Sequence, residues 1–233
     1  GSDPANTTKT FTNGITSLSY TFYDTAVACL TAADVRIDDT DNTLFAVNVG
    51  TMTITQEVAD HIEYSTGTAQ TSVADICSAA LITVRTLDQF GNITTDNPGG
   101  TTVNLSSDST GDTFYTDACT SSTTSVVVAD ATSTQTFYYK DTLSSSHIMS
   151  LTVGGFTSQP VDTDTYTINP AVVDYIEYST GTTQTLAAGV CSAVITARTK
   201  DQFGNITTDN PGGTLINLTT GSGSGTFYSD ACS

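Results

Sequence analysis

The residues best placed to do chemistry in this chain are its five cysteines. Cys77 and Cys191 lie 114 positions apart and share the context Cys-Ser-Ala. Cys119 and Cys232 lie 113 apart and share Asp-Ala-Cys. Each repeat therefore carries one pair, Cys77 with Cys119 and Cys191 with Cys232. The spacings of zinc sites, Cys-x-x-Cys and its histidine variants, are missing. A repeated lone pair in an acidic, threonine-rich chain reads as a disulfide formed in an oxidising compartment. Two buried free thiols are the other reading. Closing a loop of this size contributes about 3–4 kcal/mol in the chain-entropy model. Cys29 is left over, and its partner is open.

Other reactive types are sparse. His61 and His147 stand far from any nucleophile motif, so both are expected on strand surfaces. Glu63 and Glu177 recur beside Tyr64 and Tyr178. A pair of carboxylates suggests glycoside hydrolysis, but a solvated position between domains is the better reading. The run Gly221-Ser222-Gly223-Ser224-Gly225 lacks the lysine of a phosphate-cradling loop. Asp38, Asp39 and Asp41 alternate in the way calcium ligands do, without the glycine and distal glutamate of an EF-hand. A solvated turn is preferred there, with Ca²⁺ the one candidate ligand of an otherwise cofactor-free chain. Asp88, Asn92, Asp96 and their copies form a second candidate ion site, between consecutive domains. Asn6, Asn92, Asn104, Asn205 and Asn217 each open an Asn-x-Ser/Thr sequon, the acceptor pattern for glycosylation. Turn and strand asparagines account for them equally. No catalytic set emerges, and the chain is expected not to be an enzyme.

Charge narrows the partners. Six Lys and Arg face 24 Asp and Glu, a net charge of −18. Nucleic-acid backbones and anionic lipids both demand a basic footprint, so neither is an expected partner. No apolar run reaches the ~18 residues of a membrane helix, so no membrane insertion is expected. No signal peptide opens the chain, which makes a secreted form a mature or excised segment. Apolar content is 37% and charged content 13%. Threonine and serine fill the gap, and the composition favours pleated, half-buried surfaces.

The elements that position these residues are organised by one copied stretch. Asp88-Gln89-Phe90-Gly91-Asn92-Ile93-Thr94-Thr95-Asp96-Asn97-Pro98-Gly99-Gly100 returns unchanged as Asp201–Gly213. Identity over thirteen residues marks a repeat protein. Gly91-Asn92 suits a turn needing positive φ, and Asn97-Pro98-Gly99-Gly100 breaks the backbone again. Thr53, Ile54 and Ile62–Gly67 recur 114 positions later. Seven or eight short strands per repeat, separated by turn signals, predict an antiparallel β-sandwich. Leu81 or Ile82, Val84, Val103, Leu105, Val127, Tyr138 and Leu151 are the expected core. The second copy stops at its second cysteine. The first residues supply the missing kind of segment, because Ser19–Thr25 resembles Gln135–Thr142 and Thr51–Ile54 matches the last strand. The expected division is therefore a back half-domain at 1–58, a complete domain at 59–172 and a front half-domain at 173–233.

The run Asp-Gln-Phe-Gly-Asn after an alternating strand, followed by Phe137-Tyr138-Tyr139-Lys140-Asp141-Thr142, resembles bacterial immunoglobulin-like domains of the invasin/intimin type. The resemblance covers the complete repeat and both flanking halves. Ile93 and Ile206 stand where that family has proline, and the cysteine pair is not general to it. It implies tandem immunoglobulin-like sandwiches in an extracellular or cell-surface protein, structural or adhesive, without catalytic residues. Two functions follow as expectations. In the first, the chain belongs to a filament or stalk whose copies join head to tail, with strands containing Tyr20, Phe22, Thr53 and Ile54 completing a neighbour's front half. In the second, it is an adhesin segment that binds a glycan or other surface ligand. The absence of tryptophan and the Thr/Asp/Gly-rich loops favour the first.

Overall fold

The computed structural model describes residues 52–230 except 68, 158, 182, 209 and 210, together with Cys232 and three short strands nearer the start. The chain forms two compact units, Gly1–Gln56 and Glu57–Ser233. The described residues are all β, without a helix.

In the first unit, β1 (Ala28–Leu30) pairs antiparallel with β4 (Met52–Ile54). Between them, β2 (Arg36–Ile37) pairs with β3 (Val47–Asn48). Tyr20 and Phe22 lie outside the described residues, as do Asn6, Asp38, Asp39 and Asp41.

The second unit opens with a two-sheet sandwich. One sheet has the order β10 (Ser122–Thr123), β9 (Asp112–Tyr115), β12 (Thr134–Asp141), β7 (Ile82–Leu87), β5 (His61–Thr66). The other has the order β11 (Ser125–Val128), β8 (Thr101–Ser107), β13 (Ser146–Thr152), β14 (Val161–Asn169), β6 (Thr71–Val73). Alternation along the strands fills the space between the sheets. Ile62, Ile82, Val84, Phe114, Phe137 and Tyr139 come from the first sheet. Val103, Leu105, Val126, Val128, Met149, Leu151, Tyr166 and Ile168 come from the second. Phe114, Tyr139 and Tyr166 stack obliquely across the interior, successive ring centroids 5.1 Å apart. Each such fully buried side chain contributes roughly 1.5–3 kcal/mol.

Of the alternatives Leu81 and Ile82, Ile82 is the core member. Two expected core members are corrected: Val127 faces outward between buried Val126 and Val128, and Tyr138 lies between buried Phe137 and Tyr139. In runs of three valines or three aromatics no alternation marks the inner face, so cross-strand register decides it. His147 is also corrected. It is buried, its Nε2 3.0 Å from the Leu143 carbonyl and 3.6 Å from a carboxylate oxygen of buried Asp141.

One pairing departs from the antiparallel expectation. The opening strand divides, β5 joining one sheet and β6 running parallel to β14 in the other. The chain crosses at Gly67, whose φ of +86° favours glycine and whose position would drive a Cβ into the Leu81 carbonyl oxygen. Gln70 secures the crossing. Its amide donates to the Ala80 carbonyl at 3.0 Å, and its oxygen accepts the Ala80 N–H at 2.9 Å. Gly181 and Gln184 repeat this device, with Ala193 in place of Ala80.

After the sandwich, β15 (Tyr175–Thr180) pairs with β16 (Thr196–Lys200), the counterparts of β5 and β7. From Asp201 to Asp230 the described residues form turns and extended segments without a strand.

Candidate interaction site

The cysteines are placed in pairs. Cys77 is disulfide-bonded to Cys119 with Cα atoms 5.9 Å apart, and Cys191 to Cys232 with Cα atoms 6.1 Å apart. Cys119 and Cys232 both adopt positive φ, 62° and 61°. The loop carrying Cys119 is set by Asp117, whose carboxylate accepts the N–H groups of Thr120 and Ser121, each at 2.8 Å. The Ser121 hydroxyl, with these N–H groups and the Thr120 hydroxyl, holds Asp117 well below the usual carboxylate range.

The copied turn closes on its aspartate. Asp88 Oδ1 accepts the N–H groups of Phe90 and Asn92, each at 2.9 Å, and Oδ2 accepts Asn92 Nδ2 at 3.0 Å and Glu57 N–H at 3.2 Å. In the second copy Asp201 accepts Phe203 N–H at 3.0 Å, Asn205 N–H at 2.9 Å and Asn205 Nδ2 at 2.8 Å. Burial opposes ionisation at both aspartates, yet the donors win and both titrate below the ordinary range. A carboxylate so filled with N–H donors has its lone pairs committed to closing the turn. Among the described residues no group of three or more His, Cys, Asp or Glu is gathered to hold a metal. Further along the turn, buried Asn97 donates to Thr86 Oγ1 at 3.2 Å and accepts from Thr101 Oγ1 at 3.0 Å. In the first copy this satisfies the buried amide of the stretch's second bend.

Glu63 and Glu177 are not simply solvated. Cross-strand register sets Glu63 opposite Arg85, and they form an ion pair. Glu177 accepts Arg198 Nε at 2.6 Å and lies 2.9 Å from Lys200 Nζ; these two cations lower its pKa. Of the sequon asparagines, Asn104 and Asn217 are exposed, whereas Asn92 and Asn205 are half-buried with their side-chain amides donated to aspartate. Thr53 and Ile54 pair with Cys29 and Ala28 within the same chain.

The largest apolar exposure lies in the second copy. Positions that form the core of the sandwich are open there: Val103 is 0% exposed and its counterpart Ile216 42%, Leu105 6% and Leu218 53%, Phe114 5% and Phe227 48%. Tyr178, Leu186 and Ile195 are exposed as well. These exposed residues all lie within residues 173–233, and among the described residues β16 has no strand on the edge that β12 covers on β7. Gln70 and Gln184 went unnoticed, although their recurrence was readable.

No protein-family model matches the sequence, and no curated protein matches it. Solved structures do show likeness. One is a glycosyl hydrolase family 2 member from Bacteroides cellulosilyticus, with 18% identity and a TM-score of 0.34 over 50% of this chain and 16% of that one. Another is Yersinia pseudotuberculosis InvD, with 18% identity and a TM-score of 0.38 over 70% and 48%. A third comprises domains 5–6 of the S-layer protein SbsC, with 16% identity and a TM-score of 0.33 over 64% and 65%. This chain spans less than two thirds of each. Because the first is a glycosyl hydrolase, the expectation that the chain is not an enzyme is withdrawn. At these identities and scores none of the three assigns this chain a function.

Proposed function

We propose that the chain is a structural segment of an extracellular filament or stalk of stacked sandwiches, in which a front half-domain is completed by a back half-domain of the next copy. The observation that carries this reading is the second copy's apolar face, open at the positions buried in the complete sandwich. Open sheet edges beside such a face are templates for strand addition. Residues 1–58 have the complementary character. The antiparallel pairing of β1 with β4 repeats that of the start of β13 with the end of β14, Cys29↔Thr53 answering Ser146↔Thr167. In the sandwich, the free edge of β14 takes β6 in parallel, Thr167 beside Thr71 and Ile168 beside Ser72. The equivalent contact places Thr53 and Ile54 of one copy beside Thr185 and Leu186 of the next. The strand holding Tyr20 and Phe22 takes the place of the one holding Phe137 and Tyr139, along β16. The division into 1–58, 59–172 and 173–233 belongs to this proposal. The two disulfides support an oxidising, extracellular setting.

Such a contact joins two different surfaces and does not close, so it propagates as a filament. The test is sedimentation and electron microscopy of the chain across a concentration series. Association should grow with concentration, and Ile216→Asp with Leu218→Asp should abolish it while leaving the melting of the complete sandwich unchanged. A parent chain that stays monomeric at every concentration sinks the reading.

A further inference from the structure

We infer that the copied turn is an orienting joint, by which each repeat is held at a fixed attitude to the sandwich before it. The second turn does more than close on itself. Asp201, fully buried, accepts the Ala171 N–H through Oδ2 at 2.9 Å. Asn205 Oδ1 accepts the Ser144 N–H at 2.9 Å, and Asn205 Nδ2 donates to the Thr142 carbonyl at 2.8 Å. Thr207 Oγ1 donates to the Ala171 carbonyl at 2.8 Å. The ring of Phe203 packs against the sandwich core.

These bonds reach two separate places at one end of the sandwich. Residues 142–144 follow β12, and Ala171 follows β14. A single covalent connection through Asn169-Pro170-Ala171 would leave the next repeat free to swing and twist. Attachment at a second strand end removes both freedoms. The residue types are those the task requires. Asn205 uses one amide hydrogen within its turn, the other across the joint, and its oxygen for a second crossing bond. An aspartate there would lose the donor and set a second carboxylate beside Asp201. The ligand of this surface is thus the end of the preceding sandwich, whose polar contacts with the turn are all made through its backbone groups. The inference stands apart from head-to-tail assembly.

Amide hydrogen exchange in the ¹⁵N-labelled chain tests it. In the parent, Ser144 and Ala171 should exchange at least tenfold more slowly than exposed loop amides. Asn205→Ala should accelerate Ser144 tenfold or more, with Tyr139 and Met149 in the core unchanged. Because Asn205 also closes its own turn, Thr207→Val provides the second variant. It keeps the bonds of Asp201 to Phe203 and Asn205, removes one crossing bond and should accelerate Ala171 at least threefold. Rapid exchange of both amides in the parent, or indifference of both variants, overturns the inference. The measurement is made within a single chain, so it is read separately from any failure of copies to associate.

Discussion

Four groups in the interior show how single residues tie stability to pH. Asp88 and Asp201 keep their charge because N–H donors surround it, so their folded pKa values lie below the unfolded ones. Stability from a lowered carboxylate is complete above pH ~4 and declines as pH falls through the folded value. Burial acts the other way on the phenols of Tyr139 and Tyr166, raising both. A raised phenol contributes fully below pH ~10, and its contribution shrinks as pH rises beyond that. The melting temperature should therefore form a plateau between these limits and fall at both ends. Circular dichroism across pH checks it. In Asp88→Asn the acid fall should be shallower than in the parent; an identical fall would show that the aspartate is not its source.

At the scale of elements, what could be read in advance was whatever left a trace in pattern or repetition. β8 and β13 alternate cleanly, so Val103, Leu105 and Leu151 were legible as core. β11 and β12 were not, because Ser125-Val126-Val127-Val128 and Phe137-Tyr138-Tyr139 are apolar on both faces. The parallel seam between β6 and β14 left no pattern at all, since three residues are too few to show a period. Its cause is the crossing at Gly67, which is visible only as a glycine that recurs. The candidate site divides likewise. The copied turn announced itself, but its bonds to Thr142, Ser144 and Ala171 depend on how strand ends converge in three dimensions. The disulfide Cys77–Cys119 ties the segment after β6 to the loop after β9 and encloses a separation of 42 residues. Removing it with Cys77→Ser and Cys119→Ser should cost about 4 kcal/mol in the chain-entropy model. Urea denaturation monitored by tyrosine fluorescence measures this. A loss below about 1 kcal/mol would mean that the unfolded chain is already compact there.

For the molecule as a whole, a net charge of −18 makes separate copies repel, so any lasting contact must be specific and largely apolar. The exposed face of residues 173–233 has that character, and the joint at Asp201–Thr207 would align successive sandwiches into a rod. A rod anchored at its ends is loaded along its length, and there the disulfide acquires a different meaning. Chain drawn out of an unravelling domain lengthens by about 3.5 Å per residue. The 42-residue span between Cys77 and Cys119 is locked out of that extension, withholding roughly 150 Å from each repeat that gives way. In a single-molecule pulling experiment the sandwich should yield one short step under oxidising conditions and a step longer by that amount once reductant is added. In the filament proposed above, the crosslink that stiffens the fold at rest would become a stop that limits how far the fibre stretches before its next repeat takes up the load.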